Sequence, residues 1–332
     1  MNKWIVVTTI NPPQPAIEAI SNLCVKDGWR CVVVGDKKTP VKWSSNKIDY
    51  LSIEDQKQLY PQLAEMLPYN HYCRKNIGYL YAASKGADVI LETDDDNIPM
   101  GNFGSKLNER ISGRLVGNAT WVNAYKYFTD ELIWPRGNPL DSIHETGTIL
   151  NEEYATDCPV QQYLADGDPD VDAIFRLLFK DAFYFEKNSP VLLEKGAWCS
   201  FNSQNTLFFK KFFPLLYLPC HVSFRMTDIW RSFVAQAVLW SEGKHLSFSS
   251  STVVQVRNQH LLMKDFEDEV VGYLNNKTIC EILMRSSASW TNSMTIKTRV
   301  ISAWSALNAE KYITDDEMHI LKVWMECLNE QT

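Results

Sequence analysis

An α/β fold with helices flanking a sheet is what this sequence predicts, and three observations predict it. β-branched runs of strand length alternate with helix-spaced segments, each segment closes on a turn signal, and polar and acidic residues gather where the strands stop. The chain has 332 residues, 33 Lys plus Arg against 40 Asp plus Glu, a formal charge of −7 and 45% hydrophobic residues. That composition belongs to a globular chain with ample length for a core, as one large domain or two fused ones. An acidic balance without a dense stripe of Lys and Arg argues against a duplex nucleic-acid partner, because phosphate neutralisation needs clustered cations. A single nucleotide remains compatible with it.

The elements follow in order. Trp4 to Thr9 (WIVVTT) reads as a buried strand that ends at Asn11-Pro12-Pro13. From Pro15 to Asp27 the apolar residues Ala16, Ile17, Ile20, Leu23 and Cys24 have helical spacing, and Gly28 stops the helix. Arg30 to Val34 (RCVVV) is a second strand, closed by Gly35-Asp36. Strand, helix, strand in that order predicts a right-handed crossover in a parallel sheet. Asn76 to Lys85 reads as a helix ending at Gly86, and Asp88 to Glu92 (DVILE) as a third strand that runs into Thr93-Asp94-Asp95-Asp96-Asn97. Residues 101–219 read as less regular, with turn-rich stretches at 134–139 and 166–170, as long loops on a sheet scaffold would. Asp228 to Gly243 reads as an amphipathic helix and Ser251 to Val256 as a strand. From Leu261 onward the spacing predicts a helical tail with a loop at Trp290 to Ile296. No internal repeat or low-complexity linker interrupts the chain.

The first ten residues, MNKWIVVTTI, lack the long apolar stretch and small-residue cleavage site of a secretory signal. The apolar-rich run Phe208 to Leu218 is broken by Lys210, Lys211 and Pro214, well short of the ~18–20 residues that span a bilayer. No transmembrane segment is expected, and the expected location is cytoplasmic. Eight cysteines are scattered with no C-x-x-C pair, which predicts buried, reduced thiols and no zinc site of the paired-cysteine type.

The triplet Asp94-Asp95-Asp96 is the most informative feature. Three adjacent carboxylates after an apolar strand repel one another unless a cation or hydrogen-bond donors compensate them. Hard ions such as Mg²⁺ or Mn²⁺ suit carboxylate oxygens and accept further ligands from substrate phosphates. A solvated acidic loop is the plainer alternative. In open α/β sheets ligands bind beyond the carboxyl ends of the strands, where Thr8-Thr9, Asp36 and the triplet all fall.

Read together, VVTTINPP, VVVGDKK and RKNIGYLYAASKGADVILETDDDN resemble the nucleotide-sugar half of GT-A-fold glycosyltransferases. The resemblance is narrower to the STELLO-type glycosyltransferases and more distant to the reversibly glycosylated polypeptides. It continues through residues 164–177, 201–206, 226–231 and 257–260, and so covers roughly residues 1–270. Plant STELLO members carry an N-terminal membrane anchor, and no such segment is evident in this sequence, so their Golgi location is not carried over.

The resemblance implies a Rossmann-type mixed sheet flanked by helices, a GT-A-like domain over residues 1–265 and a helical C-terminal extension over 266–332. Residues 1–100 form its nucleotide-binding half and 101–265 its acceptor and donor-sugar half. The implied reaction moves a sugar, a hexose or pentose, from a nucleoside-diphosphate sugar, a UDP-sugar being favoured, to an acceptor hydroxyl of a glycan. Asp94 would lean toward the ribose, and Asp96, with Asp94, would hold the Mn²⁺ or Mg²⁺ on the diphosphate, with Asp95 between them. Thr8, Thr9, Asn11 and Asp36 would line the nucleoside, Asp36 accepting from a base N–H. Arg74 and Lys75 would meet ribose or phosphates, or simply be solvated cations at a helix start.

Direct displacement with inversion needs a base, and Asp228 in Met226-Thr227-Asp228-Ile229-Trp230-Arg231 is the candidate, with a helix N-cap as the alternative. His260 would complete the metal shell, with His245 as its rival. Asp166, Asp168, Asp170 and Asp172 alternate like a calcium loop but lack its glycine and glutamate, leaving an acceptor or donor-sugar loop or plain turn chemistry. Trp198, Phe201 and Trp230 are candidates to stack on a sugar, or core residues. A nucleotide-sugar mutase and a non-catalytic nucleotide- or glycan-binding relative are the rival functions.

Overall fold

The computed structural model describes residues 1–256 and 261–329. Its elements are β1 (Lys3–Thr8), α1 (Pro15–Asp27), β2 (Arg30–Val34), β3 (Asp49–Leu51), α2 (Ile53–Leu59), α3 (Pro61–Met66), α4 (Lys75–Ser84), β4 (Val89–Thr93), β5 (Asn97–Pro99) and β6 (Arg110–Gly117). There follow β7 (Thr148–Asp157), β8 (Val160–Asp166), α5 (Ala173–Leu178), β9 (Val191–Leu193), β10 (Asn205–Phe209), α6 (Thr227–Ser241), β11 (Leu246–Gln255), α7 (Leu262–Ser287), α8 (Ile296–Ala309) and α9 (Asp315–Asn329). The strands make one mixed sheet in the order β3-β2-β1-β4-β10-β8-β11-β9-β6-β7, with β5 paired to β11.

The first third folds as its alternation dictates. Ile5 and Val7 of β1 point to one face, under α1, and Trp4 and Val6 to the other, under α4, and all four are fully buried. Both faces being covered, β1, β2, β3 and β4 pair in parallel. Pro15 opens α1 and Gly28, at φ +67°, closes it in the left-handed conformation. Gly78 lets α4 lie against the sheet. A Cβ there would stand 2.6 Å from Val6 Cγ1 and 2.9 Å from Val34 Cγ2.

Residues 101–219 depart from expectation, since they carry five strands rather than mainly loops. The long β7 is exposed along most of its length and so has no apolar face to betray it. β8 buries Gln161 and Gln162, polar residues made tolerable by hydrogen bonds: Gln162 Oε1 accepts from the Asn202 N–H and the Thr206 hydroxyl. β10 inserts antiparallel beside β4, with Asn205 opposite Thr93, so a late segment occupies the middle of the sheet. β11 begins at Leu246 rather than Ser251.

The apolar cluster on the α4 face runs without a break under α6 and into α8 and α9. Tyr217 packs on Trp304 and Trp324, and Trp324 Nε1 donates to the Asn76 carbonyl at 3.0 Å. The C-terminal helices therefore buttress the helix that backs the strand ends. Seven of the eight cysteines are buried. Among the described residues no helix is long and apolar enough to cross a membrane.

Candidate functional site

The carboxyl ends of β1, β2 and β4 open onto a cleft of about 420 Å³ walled by Thr8, Thr9, Asn11, Asp36, Arg74, Asp94, Asp95, Asp96 and Asp228, among others. Strand-end reasoning thus brings the sequence candidates to one place, apart from Lys75, which lies buried behind Asp94, and His260, which lies outside the described residues.

The three aspartates occupy three environments. Asp95 turns inward, accepting from Thr9 Oγ1 at 2.5 Å and Asn11 Nδ2 at 3.0 Å. Burial raises its pKa, and the two donors oppose that rise. The Thr9 and Asn11 side chains, expected on a nucleoside, are engaged in tying the β1 loop to the β4 loop. Asp94 pairs with Lys75, whose Nζ is 2.8 Å from Oδ1 and also donates to the Ser203 carbonyl at 3.1 Å. Lys75 is fully buried, so it is neither a solvated cation nor a group on the cleft wall. A cation in the first turn of a helix opposes the helix dipole, and Asp94 supplies the compensation. Asp96 receives the Gln255 amide at 3.2 and 3.3 Å, and its carbonyl accepts from the Val256 N–H.

Asp36 accepts from the Lys37 N–H at 2.7 Å and the His71 N–H at 3.3 Å, and lies 3.8 Å from Arg74 Nε. Arg74 is not the solvated cation of the sequence reading either. Its Nη1 donates to Gln56 Oε1 at 2.6 Å and its Nη2 to the Ala64 and Leu67 carbonyls, while its guanidinium lies over the Tyr69 ring. Burial lowers its pKa, and Asp36 opposes the shift. The pair welds the end of β2 to the turn before α4.

Asp228 is not a helix cap but the second residue of α6. Its carboxylate accepts from Arg136 Nη1 and Nη2 at 3.0 and 3.1 Å, from the Ser203 N–H at 3.0 Å and from the Tyr72 hydroxyl at 3.1 Å. Burial pushes its pKa up, but the Arg136 charge and hydrogen bonds outweigh that and hold it well below the ordinary carboxylate value. Such a group stays ionised and is a weak proton acceptor near neutral pH. Arg136 also grips Asp170, with Nε and Nη2 at 2.9 and 2.7 Å from its oxygens.

The remaining candidates resolve into structure. Asp166 accepts from the Phe185 N–H, Asp168 pairs with Arg176, Asp170 pairs with Arg136 and Arg225, and Asp172 caps α5 while accepting from Trp134 Nε1. Each carboxylate turns to its own partner, which is turn and core chemistry, and of the four Asp170 lines the cleft. Trp198, Phe201 and Trp230 are buried in the core, not presented to a sugar. His245 precedes β11 and bonds Leu193, whereas Gln255 reaches Asp96 from the other end of that strand, so the strand's length separates them, roughly 30 Å. The sequence reading missed Arg136, Ser203, Tyr72, Phe224 and Gln255 as wall residues. They come from loops and from a strand end whose side-chain direction no local pattern reveals. His71, Tyr72 and Phe224 form an aromatic corner of this wall, with ring centroids 4.9–5.4 Å apart.

The ligand atoms the triplet offers a metal are the carboxylate oxygens of Asp94 and Asp96, with the Gln255 amide nitrogen turned toward Asp96 and its oxygen toward Gln204 Nε2. That set fits a hard divalent ion, which keeps waters and needs one or two carboxylates. Among the described residues the triplet does not form a preassembled cluster of three protein ligands.

A mixed sheet with a parallel half at its start, helices on both faces and an acidic strand end facing a cleft define an α/β protein of the GT-A-like class. Within that class the sequence comparisons are specific. The family model for STELLO glycosyltransferases matches residues 225–332, from Arg225 and the start of α6 through the C-terminal helices. Two proteins of Arabidopsis thaliana, named probable glycosyltransferase STELLO2 and probable glycosyltransferase STELLO1, are each 29% identical over 351 aligned positions, covering 98% of this chain. The chain spans 44% of the length of each. The STELLO resemblance carried by the sequence motifs therefore extends over nearly the whole chain.

Proposed function

We propose that this chain is a metal-dependent glycosyltransferase that moves a sugar from a nucleoside-diphosphate sugar, UDP-linked in the first instance, to an acceptor hydroxyl of a glycan. The observation that carries the proposal is the Asp94-Asp95-Asp96 strand end, with its carboxylate oxygens, in a cleft bounded by the ends of β1, β2 and β4. Asp96 and Asp94 would hold Mn²⁺ or Mg²⁺, and the ion would supply charge neutralisation for the departing nucleoside diphosphate. The protein's own groups do the rest. Asp95, locked to Thr9 and Asn11, fixes the loop that carries the other two carboxylates. Asp36 and the neighbouring backbone bound the nucleoside end. Asp228, ionised and braced by Arg136, Tyr72 and Ser203, orients the acceptor hydroxyl as a hydrogen-bond acceptor, and a base role requires it to take the proton late, when the hydroxyl has become acidic.

The test is turnover of UDP- and GDP-sugars with Mn²⁺, with and without glycan acceptors, comparing wild type with Asp96→Ala. Metal-stimulated transfer that falls to background in the variant is expected. Equal activity in the two proteins, or no nucleotide binding at any metal concentration, overturns the proposal. A change in sugar ring form without acceptor would identify a mutase instead, and binding without product a non-catalytic relative.

A further inference from the structure

Outside the cleft, three segments far apart in sequence bring soft and hard ligand atoms together. The donor atoms of Cys220, His221 and Glu317 all lie within 4.8 Å of one another, and His221 Nδ1 is 3.7 Å from Glu317 Oε2. The Cys73 thiol, in the turn before α4, lies near Cys220, whose charge and side chain act on it. Glu317 belongs to the first turn of α9 and is 1% exposed, yet among the described residues no lysine or arginine pairs with it, and the basic group beside it is the His221 imidazole. A carboxylate so enclosed calls for a cation. Its orientation is already set by the Tyr217 hydroxyl and by the Cys220 and His221 N–H groups at 3.0 and 2.7 Å, the outer-shell bonding that fixes a ligating carboxylate.

We propose that Cys220, His221 and Glu317, with Cys73 as the fourth ligand, form a zinc site that clamps α9 and the 217–221 loop onto the turn preceding α4. Thiolate, imidazole and carboxylate are zinc's ligand types, and neighbouring ligands in a tetrahedral zinc shell stand about 3.3–3.8 Å apart, close to the His221–Glu317 separation. Absence of a C-x-x-C motif hid the site, because the two thiols are 147 positions apart (220 minus 73) and meet only in the fold. Binding displaces the two thiol protons to solvent as the ion is taken up. The cluster differs from the carboxylate triplet in its sulfur ligands and shares no residue with it, so the inference does not rest on the proposed reaction.

The experiment uses the full chain purified under reducing conditions, with zinc content by elemental analysis and Co²⁺ titration by absorbance. Wild type and Asp96→Ala should both retain stoichiometric zinc, and Co²⁺ should give a thiolate-to-metal charge-transfer band. Cys220→Ser and the surface-accessible His221→Ala should bind Co²⁺ at least tenfold more weakly, while far-UV circular dichroism of His221→Ala verifies its fold. Tyr217→Phe, which leaves every ligand in place, should weaken binding roughly 10–100-fold. Folded wild-type protein with no charge-transfer band, metal retention unchanged by Cys220→Ser and His221→Ala, or a Cys73–Cys220 disulfide in the reduced preparation would each overturn the site.

Discussion

Replacing Arg136 by Met tests the buried charge network most directly. Arg136 is 5% exposed and bridges two carboxylates, Asp170 and Asp228, through contacts of 2.7–3.1 Å. Methionine keeps much of the stem but takes from Asp228 its ion-pair partner and leaves Asp170 with Arg225 at 3.8 Å, and removing one partner of a buried pair costs about 3–5 kcal/mol. For 332 residues the unfolding entropy is about 0.7 kcal/mol/K, so Tm should fall by about 4–7 °C at pH 7. The sign of the pH dependence follows from Asp228, whose native pKa is depressed. In the wild type its stabilisation is present above the unfolded value of about 3.9 and fades as pH falls through the native one. In the variant the buried carboxyl prefers its neutral form, so the gap between the two proteins narrows as pH falls from 7 toward 4. Differential scanning calorimetry across that range measures it, and Asp228→Asn added to Arg136→Met should recover part of the loss. A Tm drop under about 2 °C, or a gap that does not change with pH, would refute the assigned role.

His71, whose pKa burial lowers to about 4, accepts the Cys73 N–H on Nδ1, so its neutral form belongs to the native state. Its contribution is present above the unfolded value of about 6.5 and is lost as pH falls through the native one, amounting to roughly 3 kcal/mol by pH 4. Urea unfolding should show that slope in wild type and a shallower one in His71→Asn; parallel curves would exclude the assignment. Gly78→Ala should destabilise by about 1–3 kcal/mol through overpacking against Val6 and Val34, read from the urea midpoint. An unchanged midpoint would mean that α4 moves freely off the sheet.

How legible all this was depended on how locally each feature is determined. β1, α1, β2, α4 and β4 could be read because each buries a periodic set of side chains and ends at a turn residue, as Val6 and Ile17 show. The middle strands could not, because Gln161, Gln162 and Asn205 are buried by hydrogen bonds to distant segments rather than by hydrophobicity. The site follows the same division. Thr9, Asp36 and Asp94 to Asp96 stand at strand ends on the cleft, where a local pattern can place them. Arg136 and Ser203 sit in loops that acquire meaning only when Asp228 arrives from α6. The same separation hid the burial of Lys75 and Arg74: a sequence shows two cations before a helix, and the fold supplies their buried partners, with Arg74 still on the cleft wall.

The bond from Trp324 to the Asn76 carbonyl also sets a birth order. It ties residues 248 positions apart, and a strand made after residue 204 must still enter beside β4. During synthesis the chain therefore emerges with β1, β2 and β4 ready to pair but with one flank of β4 and the back of α4 uncovered. Long-range closures of this kind are slow, and the apolar surfaces awaiting them are open to wrong partners in the meantime. Only when α9 leaves the ribosome can the cleft's supporting wall set. A nascent chain arrested before residue 315 should accordingly hold its cleft in an unfinished, protease-sensitive state.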